Sequence, residues 1–508
     1  MDNVGYNLND AISDLLKRSG VETPFYKKKW FIGVMIGSAV LIIGLIVLLV
    51  LLLTKNDDKE ILGEIKCIFQ INDTSRIFYI LGEEFEKGEM EIDIIINDKK
   101  IEQFEKEYNF PKTGNNDVIF KIYSSSINMK NMFKNVESLI SVELNSDKNL
   151  QVTSMESSFE NCEHLKSFNI IGFDINNLKS LSHCFSHTAI EQPNLEYFSS
   201  AKIEDMSYMF AYYSYEELNL INFNTKYVKN MSHMFYNSQT LRKLDLSSFN
   251  TFNVEDMSGF FEGCPQLESV DLNNLDTSNV KNMSAFFRGC KTLFARNPIF
   301  NTKNVIDMSH MFENTSYIFL NLTSFDTRNV KYMNSMFKDS YILFGLVLSS
   351  FDTSSVVDFS YIFSECKPLT SLELFHFNTK SAKNMSHMFS GNYFRGINFD
   401  PEKFITDSVV DMSYMFQDST SESMVSLNLS KFNTANVVHM EGMFSGCENI
   451  GELNLETFDT SNVINMSELF YGCNKLTSLI LDITFTTDKV QDMSKMFKEC
   501  SSLPYLNI

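Results

Sequence analysis

The side chains best suited to bind metal or act as nucleophiles in this 508-residue chain are nine Cys and eight His. Seven of the thiols, Cys162, Cys264, Cys290, Cys366, Cys447, Cys473 and Cys500, occupy one position of a long repeat. Ligand thiols come in close pairs such as Cys-x-x-Cys, and the sequence has none. The spacing instead predicts a ladder of buried thiols acting as small hydrophobes. Outside the cell, Cys264 and Cys290, or Cys473 and Cys500, would bridge only if their Cα atoms came into range. His183, His233, His310 and His387 share another repeat position and are expected on a solvated face. There is no His-Glu-x-x-His, Gly-x-Ser-x-Gly, phosphate loop or calcium loop. No catalytic residue, metal or cofactor is expected.

Two polar patterns remain. The first is a column on the expected inner strands: Glu143, Asn169, Asn219, Asp245, Asp271, Asn321, Glu373, Asn398, Asn428 and Asn454. The strand face of a horseshoe solenoid is where partners usually dock, and this column suits a basic or hydroxyl-rich one. The second is eight Asn-x-Ser/Thr acceptors for N-glycosylation: Asn72, Asn230, Asn282, Asn314, Asn321, Asn384, Asn428 and Asn465. Glycans on Asn321 and Asn428 would obstruct the column.

These residues need a scaffold, and the scaffold is periodic. Met-Ser-x-Met-Phe recurs fifteen times, starting at Met129, Met155, Leu181, Met206, Met231, Met257, Met283, Met308, Met333, Phe359, Met385, Met412, Met440, Met466 and Met493, at intervals of 25–28 residues. The fifth residue of every unit is Phe, from Phe133 to Phe497. In the unit opening at Met257, apolar Met257, Phe260, Phe261 and Cys264 keep the spacing of one helix face, with Asp256 and Ser258 at the expected N-terminus. Leu267, Val270 and Leu272 give a leucine-rich strand, and Leu275-Asp276-Thr277 a turn. A unit this short cannot bury its apolar face alone, so neighbours must stack. The expected fold is an α/β leucine-rich-repeat-type solenoid, with parallel strands on one face and short helices on the other.

The composition agrees. Of 26 Met, 22 fall at the first or fourth position of the repeat, and 15 of the 46 Phe fill the fifth. A net charge of −21 argues against a nucleic-acid surface. The repeats, in forms such as NVKNMSAFFRGC and MEGMFSGCENIGELNLETFDTSNV, resemble those of BspA-like leucine-rich-repeat surface proteins. That resemblance covers residues 127–508 and implies a cell-surface solenoid for adhesion or partner binding. It implies no catalytic residues.

Residues 31–53 form an uncharged apolar run. Its length suits one bilayer crossing, giving a transmembrane signal anchor. Lys17, Arg18 and Lys27–Lys29 precede it, so the positive-inside rule places a cytoplasmic tail at 1–30 and the rest outside the plasma membrane. With five basic and four acidic residues in that tail, the remainder carries −22. Gly33 and Gly37 have the Gly-x-x-x-Gly spacing of a helix dimer. After a short linker, 54–62, the segment 63–126 lacks the repeat. Its β-branched runs, broken by Gly82, Gly88, Pro111 and Gly114, predict a small β domain capping the solenoid. The expected function is recognition of protein or glycan ligands at the cell surface, without nucleic acid. Assembly into a structural coat and signalling through the tail are the alternatives.

Overall fold

The computed structural model describes residues 18, 36–38, 40–46, 59–221, 223–292, 297–342, 345–367, 369–393, 396–420 and 427–504. Two compact units, 1–60 and 61–508, are distinguished. Of the apolar run, residues 36–38 and 40–46 are helical, and Val40 and Leu41 are 63% and 68% exposed. No helix among the described residues is long and apolar enough to cross a membrane. Gly33 and the rest of the run, 31–35, 39 and 47–53, lie outside the described residues, as do most of the tail and the linker.

The larger unit is a β-solenoid, and among the described residues the Met-Ser-x-Met-Phe segments are not the expected short helices; a 3-10 helix occurs elsewhere, at Glu196–Ser200. In every unit the third and seventh residues have positive φ, from Asn131 and Asn135 to Lys495 and Glu499. Two left-handed residues four apart cannot occur in a right-handed α-helix. The backbone hydrogen bonds alternate accordingly. Phe260, Glu262 and Cys264 each donate three residues back, to Met257, Gly259 and Phe261, at 3.3, 2.9 and 3.2 Å. Met257, Gly259, Phe261 and Gly263 donate to the next rung, at Asn282, Ser284, Phe286 and Arg288, over 2.7–3.0 Å. The segment is a train of tight turns that hydrogen-bonds like a strand. Asp256 is no helix cap: its Oδ1 accepts the Ser258 N–H at 2.8 Å and fixes the first turn.

The residue before each unit continues this wall. Parallel bridges link Asp205, Asn230, Asp256, Asn282 and Asp307, and run on through Tyr332 to Asp492. The leucine-rich segments do form parallel strands, but short ones. Glu217–Asn219, Lys243–Asp245 and Ser269–Val270 make one sheet, while Ser371–Leu374 pairs with Gly396–Phe399 and Glu452–Leu455 with Ser478–Leu481. Among the described residues the turn wall carries the longer unbroken ladder.

The segment before the repeats joins the same unit. Its strands are β1 (Gly63–Ile71), β2 (Phe78–Tyr79), β3 (Ile92–Ile96), β4 (Lys99–Lys100), β5 (Glu107–Tyr108) and β6 (Gly114–Ile122). Next come β7 (Ser126–Asn128), β8 (Leu139–Asn145), β9 (Gln151–Ser154) and β10 (Ser167–Ile171). One sheet runs β10-β8-β1-β6-β3-β4, with β1 antiparallel to the first rung strand, β8. Gly82 N–H also donates to Met132 O at 2.8 Å, so this segment takes up a carbonyl at the start of the turn wall.

Beside the buried first- and fourth-position Met, three further side-chain columns run through the interior. The fifth-position rings stack without a break from Phe133 to Phe497, with centroids 5.3–6.2 Å apart and near-parallel planes. Buried Thr forms a second column. Thr277 Oγ1 donates to Asn301 O at 3.1 Å and accepts the Asn301 N–H at 2.8 Å, and Thr251, Thr302 and Thr353 make the equivalent donation. The third column is the eighth position, where Cys recurs. Each of its seven thiols donates to the carbonyl of the preceding rung's Phe, as from Cys264 to Phe235 at 3.1 Å. These thiols are hydrogen-bond donors as well as apolar fillers, and all nine cysteines are free.

Candidate functional site

Among the described residues the strand column pairs in register over short stretches. Asn169 pairs with Glu143, Asn219 with Asp245, and Glu373 with Asn398; Asn321 lies opposite Val347 and Asn454 opposite Ile480. Asn219, Asp245, Asp271, Glu373, Asn428 and Asn454 are exposed, while Glu143, Asn169 and Asn321 are half-buried.

Most of these side chains have a local task. The Oδ1 atoms of Asn219, Asp245, Asp271, Asn321, Asn428 and Asn454 each accept the N–H two residues on, at 2.9–3.1 Å. That bond closes the turn leaving the strand. Hydrogen bonds from Ser247 hold the Asp245 carboxyl below its ordinary pKa. Asn169 Oδ1 accepts from Tyr197 Oη at 2.6 Å, and Glu143 accepts from Asn145 Nδ2. An Asx residue at this site is thus explained by backbone geometry before any partner is invoked.

The sequons divide into groups. Asn230, Asn282, Asn384 and Asn465 sit half-buried in the bridge ladder, where each Oδ1 accepts the N–H of its own sequon Ser at 2.9–3.0 Å. Asn72 and Asn314 are exposed, and Asn314 adopts positive φ. Asn321 and Asn428 belong to the strand column.

The histidines are not isolated on a solvated face. They hold the left-handed third position, half-buried, and three of them stack on Tyr from neighbouring rungs. His183, Tyr208 and His233 form one stack, with centroids 4.5 and 4.6 Å apart. Tyr361, His387 and Tyr414 form another, at 4.2 and 4.8 Å. His310 instead pairs with Glu313 at 2.6 Å. Burial pushes the His183 and His387 imidazoles below their ordinary pKa. Among the described residues, no group of three or more His, Cys, Asp or Glu is arranged to hold a metal ion.

A groove of about 580 Å³ opens instead on the turn wall, beside the bridge ladder. It is lined by Asn253, Asn279, Asn304 and Asn329 along one edge and by Glu255, Lys281, Ile306 and Lys331 along the other. The sequence carries this row in the open, as the Asn that begins Asn-Val-x-Asx/Tyr-Met, though nothing in its spacing sets it apart from a solvated turn. Farther along the same face, Glu204 accepts from Lys179 and Lys229, both at 2.7 Å. Those bonds bring its pKa down to about 2.

The repeat matches one family model four times over, at residues 127–242, 205–319, 314–424 and 392–505, described as "Mycoplasma protein of unknown function, DUF285". The chain belongs to this family. The matches begin where the periodic segment does, so the DUF285 unit is several stacked rungs. No curated protein and no solved structure matches the chain.

Proposed function

We propose that this DUF285 chain is a membrane-anchored surface protein whose solenoid recognises ligands outside the cell. What carries this reading is an outer surface built as columns, one residue per rung, over a core filled by Met, Phe, Leu, Val and Cys columns. Such a surface presents an extended, regular array to a partner. The resemblance to BspA-like surface proteins supports adhesion, and the apolar run with its basic flank supports an N-in, C-out anchor at the plasma membrane. The remaining ion pairs are mostly exposed pairs between neighbouring rungs, a pattern suited to solubility.

Full-length protein in lipid nanodiscs, tested against immobilised matrix proteins and glycans, should show saturable binding. A chain that binds none of them and sediments as large assemblies would favour a structural coat instead.

A further inference from the structure

We infer that the groove beside Asn253, Asn279, Asn304 and Asn329 binds an extended, hydroxyl-rich glycan lying along the stack, about one sugar residue per rung. The inference rests on the ligand-binding reading above and gives it a site.

Each of these amides is held in place by the fold. Their Nδ2 atoms donate one rung back, to the carbonyls of Lys226, Phe252, Ser278 and Lys303, at 2.7–2.8 Å. Each amide still offers its Oδ1 and the second hydrogen of its Nδ2, so the edge is a fixed row of amides repeating with the rungs. This distinguishes it from the strand column, whose Oδ1 atoms already accept turn N–H groups. The facing edge supplies the complement. Lys281 is steadied by Glu255 at 2.6 Å, Lys331 makes no ion pair among the described residues, and Ile306 stands 39% exposed between them.

A row of amides calls for a ligand with donors and acceptors in step with the rungs. Rungs joined by parallel backbone pairing lie about 4.8 Å apart, whereas an extended peptide repeats its same-side N–H only every ~6.6 Å. A peptide therefore drifts out of step within two rungs. A hexose in an extended β-1,4 chain advances by close to one rung and turns over at each step, so alternate residues bring the same edge back to the row about every two rungs. Its hydroxyls donate to Asn Oδ1 and accept from the lysines, and its C–H face packs on Ile306. A few fixed polar groups beside an apolar patch are the usual means of orienting a ligand.

The test is calorimetric binding of linear β-1,4-linked cello- and chito-oligosaccharides of increasing length to the full chain in nanodiscs. Affinity should rise at least about tenfold between the disaccharide and the tetramer, then level off once the row is filled. Ile306→Glu and Lys331→Glu, both at exposed positions, should each weaken the tetramer about tenfold without moving the unfolding temperature. Asp245→Ala, on the strand column, should leave binding unchanged. Failure of every linear glycan to bind overturns the inference, as does binding indifferent to length or to the two groove variants. If a matrix protein binds while glycans do not, the groove is wrong and the recognition reading stands. If nothing binds, both fail.

Discussion

The Cys290 thiol donates to the carbonyl oxygen of Phe261, 3.2 Å away in the preceding rung. Ser238, Asn392 and Ser419 occupy the same position and make the same bond to Phe210, Phe363 and Phe389. Val136 and Tyr213 aside, the column favours a small donor, and Cys is one way of supplying it. Cys290→Ser should stay within about 1 kcal/mol of the parent, since it keeps the donor. Cys290→Val should lose about 1–2 kcal/mol, the cost of a buried bond removed. Urea unfolding of both variants checks this; equal losses would reduce the column to apolar filling.

The same burial sets a pH dependence. It pushes the Cys264, Cys366 and Cys473 thiols up to about 12. An unfolded thiol titrates near 8.5, so above that pH the unfolded chain releases protons that the native chain retains. The contribution is complete below pH ~8.5 and is lost as pH rises towards 12. Urea midpoints should fall between pH 9 and 11, and alkylation of the native chain at pH 8 should favour the half-exposed Cys500.

Thr277 tests the second interior column. Thr277→Val keeps its shape but strands both the Asn301 carbonyl and the Asn301 N–H. The expected loss is about 2–3 kcal/mol, with Thr277→Ser retaining most of the stability. Thermal unfolding of the two variants separates hydrogen bonding from packing.

Gly259 and His233 are coupled through space. A Cβ at Gly259 would lie 2.4 Å from His233 Cδ2, and Gly259 has φ +58°. Ala285 adopts φ 55° at the same repeat position, so the backbone tolerates a side chain there. The steric term should dominate: Gly259→Ala should cost about 1–3 kcal/mol. Adding His233→Ala should recover part of that loss, and a double-mutant cycle on urea midpoints measures it.

Much of this was legible from Met257, Phe261 and Leu272, whose recurrence fixed the period, the stack and the parallel strands. The helix was not. Met257, Phe260, Phe261 and Cys264 satisfy helical spacing, yet inward residues in a train of tight turns fall at the same intervals. The discriminating signal lay at the third and seventh positions, where Gly259, Gly263, Gly289, Gly442, Gly446, Asn131 and Asn135 mark left-handed backbone. His183, Tyr208 and His233 masked it, because the same left-handed position also holds side chains whose rings stack. Asp245 and Asn454 of the strand column are exposed and close turns, a local role that outward periodicity alone does not reveal. Nothing in the sequence marks the Asn253 row, because an Asn in a turn carries no pitch until the rungs are stacked.

Surface shaving tests the central claim most directly. Intact cells expressing the full chain, treated briefly with trypsin and analysed by mass spectrometry, should release peptides from the 127–508 repeats and none from residues 1–30. Complete protection of the repeats on intact cells, with cleavage only after lysis, would contradict the account.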